Sequence, residues 1–283
     1  MRVKSSFSMT KALSAAFSSL PQALGGAWLV LLLLWAIGTF GPLAIFHHHH
    51  AALIVLPVAV IAILLKLMTM GALYRIDLFG KDAGREGLGF GGLQLGWPEL
   101  RLFLAQIVAG LFVLTICLAL FIVFAVGLST SGAAGDGTSL MAVCAAFRAH
   151  QSTGDWVIIT YVLGSAVFLV FVALKFSLLH AANIAQRRLV TLNALGLTSG
   201  NVGKLFIGLC ALAAPFLFLS AAVMHLFGPQ IRLAHAMPYP WMGQRMHIIL
   251  HGGMMLVHIA VVLPLLVGFF ASAYRQITAG RAT

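Results

Sequence analysis

Eleven histidines are the most reactive population in this chain, and most of them are grouped. Four stand together as His47, His48, His49 and His50. A second set, His247, His251 and His258, has offsets of 4 and 7, which places all three on one face of a helix. His150, His225 and His235 lie in the same parts of the chain's hydropathy pattern. Methionines accompany them at Met224, Met237, Met242, Met246, Met254 and Met255. Imidazole and thioether together are ligands for copper, and imidazole alone binds zinc, iron or haem. A copper, zinc or haem site built from His47–His50, His247, His251 and His258 is therefore one reading. The other needs no ligand: the four-histidine run is an interfacial loop, methionine fills apolar helices, and His258 donates one hydrogen bond to a neighbouring helix. On that second reading no cofactor is expected.

The elements that must carry these residues are membrane helices. Of 283 residues, 61% are apolar and 8% charged, and the mean hydropathy is +1.04. A soluble domain carries roughly 25% charged residues, so this composition cannot cover a surface facing water. The apolar residues fall in runs long enough to cross the roughly 30 Å of bilayer hydrocarbon, which takes about 20 helical residues. Six spans are expected, over 27–46, 52–73, 100–126, 156–179, 205–227 and 247–273. The runs are continuous, whereas strands of a membrane barrel would alternate over about ten residues. The fold class is all-α: a polytopic membrane helix bundle forming a single integral membrane domain over 1–283.

Residues 5–20 precede the first span. Phe7, Leu13, Phe17 and Leu20 recur there at helical spacing and Pro21 follows, so a short helix in the membrane interface is expected, ending at the proline. It does not read as a signal peptide, because the apolar run begins only near Ala27 and no small-residue cleavage motif follows. Arg187–Thr198 reads as a second amphipathic helix, stopped by Gly200, with Asn201 placed to cap the next span. Leu93–Pro98 leads into the third span, with Trp97 suited to the interface and Pro98 to a first helical turn.

Charge sets the expected orientation. With the N-terminus inside, Arg2, Lys4, Lys11, Lys66, Arg75, Lys81, Arg85, Arg101, Lys175, Arg187, Arg188, Lys204, Arg275 and Arg281 are inside, while Arg148, Arg232 and Arg245 are outside. Fourteen of 17 basic residues on one side is a strong positive-inside bias. Both termini are thus expected on the cytoplasmic side of a bacterial inner membrane, and most histidines on the outer side. The net charge of +11 is accounted for by topology. Nucleic acid is not an expected partner, since there is no soluble domain to carry a basic patch.

The remaining motifs exclude more than they assign. Gly87–Gly92 matches GxGxxG but lacks the strand, following helix and distal acidic residue of a dinucleotide site, so a flexible loop is expected. No GxSxG or HExxH occurs, and His247 and His251 bracket no glutamate, so no catalytic residue is assigned and no enzyme is expected. Cys117, Cys144 and Cys210 form no CxxC pair. The six acidic residues, Asp77, Asp82, Glu86, Glu99, Asp136 and Asp155, fall in loops or at span ends. That weakens a proton- or sodium-coupled carrier, which uses carboxylates within the membrane. Lys66 and Lys175 can snorkel to headgroups. Pro57, Pro215 and Pro264 could kink spans around a cavity.

The stretch from Lys175-Phe-Ser-Leu-Leu to Leu197-Thr-Ser-Gly-Asn-Val-Gly-Lys-Leu-Phe206 resembles a pattern in uncharacterised bacterial six-helix membrane proteins. These are similar to the membrane domain attached to some glycerophosphodiester phosphodiesterases. The resemblance implies the six-helix architecture and the amphipathic N-terminal helix. It does not imply phosphodiesterase activity, because no soluble catalytic domain is attached. Three functional expectations follow. The first is a non-enzymatic accessory or structural component, touching lipid and protein partners or itself through small-residue faces such as Gly252–Gly253 and Gly164–Ser165. The second is a metal- or haem-binding membrane protein. The third is a permease for a small or lipid-like molecule, with a polar cavity near Pro215 and Pro264.

Overall fold

The computed structural model describes residues 7–46, 51–130, 153–236 and 240–282. Among these the chain is helical throughout apart from short links. The helices are α1 (Met9–Phe46), α2 (Ala51–Phe79), α3 (Trp97–Thr130), α4 (Thr153–Phe176), α5 (Leu179–Gln186), α6 (Ala194–Leu197), α7 (Val202–Ala236), α8 (Pro240–Val257) and α9 (Leu263–Ala282). Six segments are long and apolar enough to cross a membrane, and they match the six expected spans. Large apolar side chains such as Leu53, Phe121, Leu217 and Phe218 point outward along them. A protein in water could not leave so much apolar surface uncovered. The chain is a multi-pass helical membrane protein.

α1, α2 and α9 form the packed centre, and α3, α4 and α7 stand around it. Both described ends of the chain lie at one end of the bundle, here termed proximal. There the Ser8 amide donates to Gln276 Oε1 at 2.8 Å, and Phe7 meets Phe269 edge-on at 6.4 Å.

The N-terminal segment differs from its expected form. Pro21 does not end a helix; α1 runs on through it and bends at Ala27, where φ is −117° and ψ 15°. The expected Phe/Leu stripe forms the buried face only in part: Phe7 is buried, and Leu13 and Leu20 pack against the core. Ala12, Ala16, Ala23 and Ala27 are fully buried, while Phe17 is 57% exposed. Close helix packing chooses small residues. A Cβ placed on Gly268 of α9 would come within 3.0 Å of Ala16 Cα, so the two helices touch backbone to backbone.

The proximal links are also better ordered than expected. The glycine-rich stretch 87–92 is not a loose loop, because Gly91 and Gly92 are buried against α1 with φ of +58° and +83°. A Cβ on Gly91 would lie 2.5 Å from Leu29 Cβ, and one on Gly92 3.1 Å from Ala27 Cα. Only glycine tolerates both that φ and that approach. The second amphipathic helix is shifted as well: α5 covers 179–186, and 187–193 is not helical. Arg187 adopts a left-handed φ of 50°, ending α5. Two contacts hold it there. Its guanidinium pairs with Glu86, and Asn183 clasps Val190 from both sides. Gly200, at φ +82°, turns the chain into α7 as expected, with Asn201 directly before that helix.

Of the three prolines expected to kink spans, Pro57 and Pro215 sit inside α2 and α7, each a single helix. At the third, α8 and α9 join through one π turn, His258–Val262, just before Pro264. Proline cannot donate to the carbonyl four residues back and its ring crowds that oxygen. Widening the preceding turn relieves the clash.

Candidate functional site

The histidines do not converge on a metal centre within the described part of the structure. His47, His48, His49 and His50 lie outside the described residues, as do His150 and Met237, and so does the connection 131–152. The backbone of α8 carries His247, Met242 and Met246, whose side chains lie outside the described set. His251 is exposed, and its Nε2 lies 3.4 Å from the carbonyl oxygen of Gly38 on α1. His258 turns toward α7, its ring 5.4 Å from that of Phe216, and its buried Nδ1 has no hydrogen-bond partner among the described residues. Met255 reaches α1 at Gly38. Among the described residues no three His, Cys, Asp or Glu side chains are grouped closely enough to hold a metal. The space beside Pro215 is about 240 Å³ and lined by apolar side chains, Phe17, Phe216 and Leu265 among them. The polar-lined cavity expected near Pro215 and Pro264 is not found beside Pro215 among the described residues.

A different cavity, of about 690 Å³ and mainly apolar, lies in the proximal half of the bundle between α2, α3, α4, α5, α7 and α9. Its walls are Met70, Val113, Leu174, Leu209, Leu266, Phe270 and similar side chains. At one end stand four hydrogen-bonding residues, Tyr74, Gln106, Ser177 and His180, and none of its lining residues is acidic or a lysine or arginine.

Each of the four is placed by a different element. Tyr74 is fully buried on the last turns of α2, its ring stacked on His180 at 5.9 Å with the planes 3° apart. Gln106 is on α3, 2.6 Å from His180 Nε2. With the amide nitrogen donating, Nε2 is the acceptor and the imidazole carries its proton on Nδ1. Ser177 stands in the link between α4 and α5; its hydroxyl is buried and has no partner among the described residues. A buried hydroxyl without a hydrogen-bond partner costs free energy, and Ser177 is one of the residues that line the cavity. His180, on the first turn of α5, completes the group.

Two carboxylates brace this end. Glu99 at the start of α3 pairs with Arg75 of α2 at 2.6 Å, with side-chain exposures of 1% and 3%, and accepts the Gly96 amide at 3.0 Å. Asp77, one turn after Tyr74, is buried and makes no well-formed hydrogen bond to a described group; the Ser19 hydroxyl, Arg275 and Tyr74 are among the polar groups near enough to interact with it. Both carboxylates are at span ends, as expected, but inside the protein and not in a solvated loop.

The opening of the cavity faces the surface that lipid would cover. Gly110, Val170 and Ala173 line it and are exposed on the outer flanks of α3 and α4. A Cβ built on Gly110 meets nothing within 4 Å. No protein-family model, curated protein or solved structure matches this chain.

None of the four polar cavity residues stood out in the sequence. Tyr74 lies one residue beyond the second expected span, and Gln106 is one amide in an apolar run. Ser177 was quoted only as part of the resembling segment, and His180 lay one residue beyond the fourth span as drawn. One available signal was depth: Gln106 is a full turn and more inside the third span, and polar side chains at that depth usually face inward.

Proposed function

We propose that this protein is a non-enzymatic inner-membrane component that binds an amphiphilic molecule drawn sideways from the bilayer. The molecule's polar head meets Tyr74, Gln106, Ser177 and His180, and its apolar part fills the cavity between α3, α4 and α9. The single observation that carries this reading is the arrangement of that cavity: apolar walls, one hydrogen-bonding end, and an opening between exposed residues of α3 and α4. Ligand sites generally combine an apolar lining with a few convergent polar groups. The positive-inside bias puts the proximal end, and so the polar head, on the cytoplasmic side. Among the functions expected from the sequence, this joins the accessory component to the lipid-handling protein.

The test uses the full chain reconstituted in lipid nanodiscs and released for native mass spectrometry. Wild-type protein is expected to retain a stoichiometric amphiphile. Gly110→Trp, which places an indole at the cavity's mouth where an added Cβ meets nothing within 4 Å, is expected to lose it while eluting identically on gel filtration. If both proteins carry the same lipids in the same amounts, the reading is wrong.

A further inference from the structure

The cavity is one end of a longer feature. A second space, of about 280 Å³, lies between α3 and α4 toward the distal end, lined by Cys117, Phe121, Phe124, Tyr161 and Ala166 among others. The two spaces use one stripe on each helix. On α3 the cavity takes Gln106, Ala109, Gly110 and Val113, and the second space takes Cys117, Leu120, Phe121 and Phe124. These are successive steps of three and four residues, hence one helix face. On α4 the distal space runs from Tyr161 to Leu169 and the cavity from Val170 to Ser177. At the distal end the groove is closed: the Tyr161 hydroxyl donates to the Leu120 carbonyl at 2.6 Å, and its ring stacks on Phe124 at 5.9 Å.

Eighteen residues separate Gln106 from Phe124, so the groove is about 27 Å long at 1.5 Å per residue. The hydrocarbon core is roughly 30 Å thick, so one leaflet contributes roughly 15 Å. The groove therefore continues well past the midplane from its polar end. The distal space is also the smaller, about 280 Å³ against about 690 Å³, which leaves less room there for a second tail. Among the described residues that line the groove's polar end there is no lysine, arginine or carboxylate; Lys66 and Asp77, near enough to act on His180 and Tyr74, are not among them.

We infer that the ligand is a single-tailed lipid with an uncharged hydrogen-bonding head, such as an alcohol or carbonyl, and a tail longer than one leaflet. The head lies among Gln106, Ser177 and His180, and the tail runs between α3 and α4 to Tyr161. This inference rests on the amphiphile-binding reading above and adds the ligand's charge and length.

The experiment uses two long-chain alcohols carrying a diazirine at the tail tip, one about 13 Å and one about 27 Å long, in nanodiscs with the full chain. After irradiation, labelled residues are mapped by mass spectrometry. The short probe is expected to label around Val113 and Val170, and the long probe around Phe121, Tyr161 and Val162. Gly110→Trp should abolish both patterns. Ala166→Trp, which obstructs the distal space alone, should abolish long-probe labelling and leave the short-probe pattern intact. If the long probe labels Tyr161 equally in Gly110→Trp, bulk lipid occupies the distal groove. The tail-length inference then fails while the cavity reading stands. If the short probe labels no cavity residue in wild-type protein, both fail.

Discussion

Removing the guanidinium of Arg75 should destabilise this protein far more than removing it together with its partner. The Arg75–Glu99 pair is sealed from solvent, at 3% and 1% side-chain exposure and 2.6 Å separation. Arg75→Met leaves the Glu99 carboxylate buried with the Gly96 amide as its remaining hydrogen bond. Breaking a buried pair in this way costs about 3–5 kcal/mol. Arg75→Met/Glu99→Met removes both charges and keeps most of the volume, so neither desolvation penalty remains. Such replacements are often neutral or stabilising, and the double variant should fall within about 1 kcal/mol of wild type, with the Gly96 amide turning to water or headgroups. The assay is reversible unfolding in mixed detergent and SDS micelles, followed by tryptophan fluorescence. Trp97, exposed and two residues from Glu99, is placed to report it. A double variant as unstable as the sum of the single ones would show that the pair is not electrically isolated, and the argument would be wrong. So would an Arg75→Met cost below about 1 kcal/mol, the range of exposed pairs.

Two further substitutions test the packing that positions the cavity. Gly208→Ala puts a Cβ 2.3 Å from the Phe269 ring. The expected loss is about 1–3 kcal/mol in the same unfolding assay, typical of overpacking, and it should be largely restored by Phe269→Leu. Asn183→Ala removes the side chain that donates to the Val190 carbonyl at 2.8 Å and accepts its amide at 2.9 Å. Trypsin should then cut after Arg187 and Arg188 markedly faster than in wild-type protein, and unchanged cleavage would mean that Glu86 alone holds the link.

What the sequence revealed and what it concealed divide along physical lines. The six spans were legible because bilayer thickness requires long apolar runs, and nothing else produces them at this frequency. The inner end of the second span was misplaced, at Leu73, because Arg75 and Asp77 read as loop charges. The helix continues to Phe79 since Glu99, 24 residues away, neutralises Arg75. No local pattern announces a partner that distant. The N-terminal helix is legible from its large apolar residues, yet Phe17 among them faces outward and its fully buried positions are the alanines Ala12 and Ala16. Amphipathic patterning reports what avoids water; inside a bilayer the packed face is selected by closeness instead. The cavity was hidden for a related reason. Tyr74, Gln106, Ser177 and His180 come from three helices and a link, and no spacing rule connects them.

The same physics explains why a space between α3 and α4 can persist. In water an apolar gap of several hundred Å³ would close, because closing it removes apolar surface from solvent. In a bilayer that force is absent, for lipid tails are as apolar as the helices, and association depends on packing fit and hydrogen bonds. α1 has that fit with α9, through Ala16 against Gly268, and with α8, through the Trp35 indole on the Gly252 carbonyl at 2.8 Å. α3 and α4 have the Tyr161–Leu120 bond toward one end and the Phe112–Phe176 contact toward the other. The walls between them are apolar and poorly matched, so the cost of leaving them apart is small. A bulk lipid tail could occupy that gap as readily as any other. On the proposed amphiphile-binding reading, preference for one molecule would come from the polar end, where the Ser177 hydroxyl has no partner among the described residues. Ser177→Ala is therefore the informative substitution for selectivity. It should leave the fold and the apolar groove intact, since a hydroxyl with no partner contributes no hydrogen bond to the empty protein. It should weaken retention of the alcohol probe relative to a hydrocarbon of equal length by about 0.5–1.5 kcal/mol, the net worth of one hydrogen bond. Equal retention of the two probes by wild-type and Ser177→Ala protein would mean that the polar end does not read the head at all.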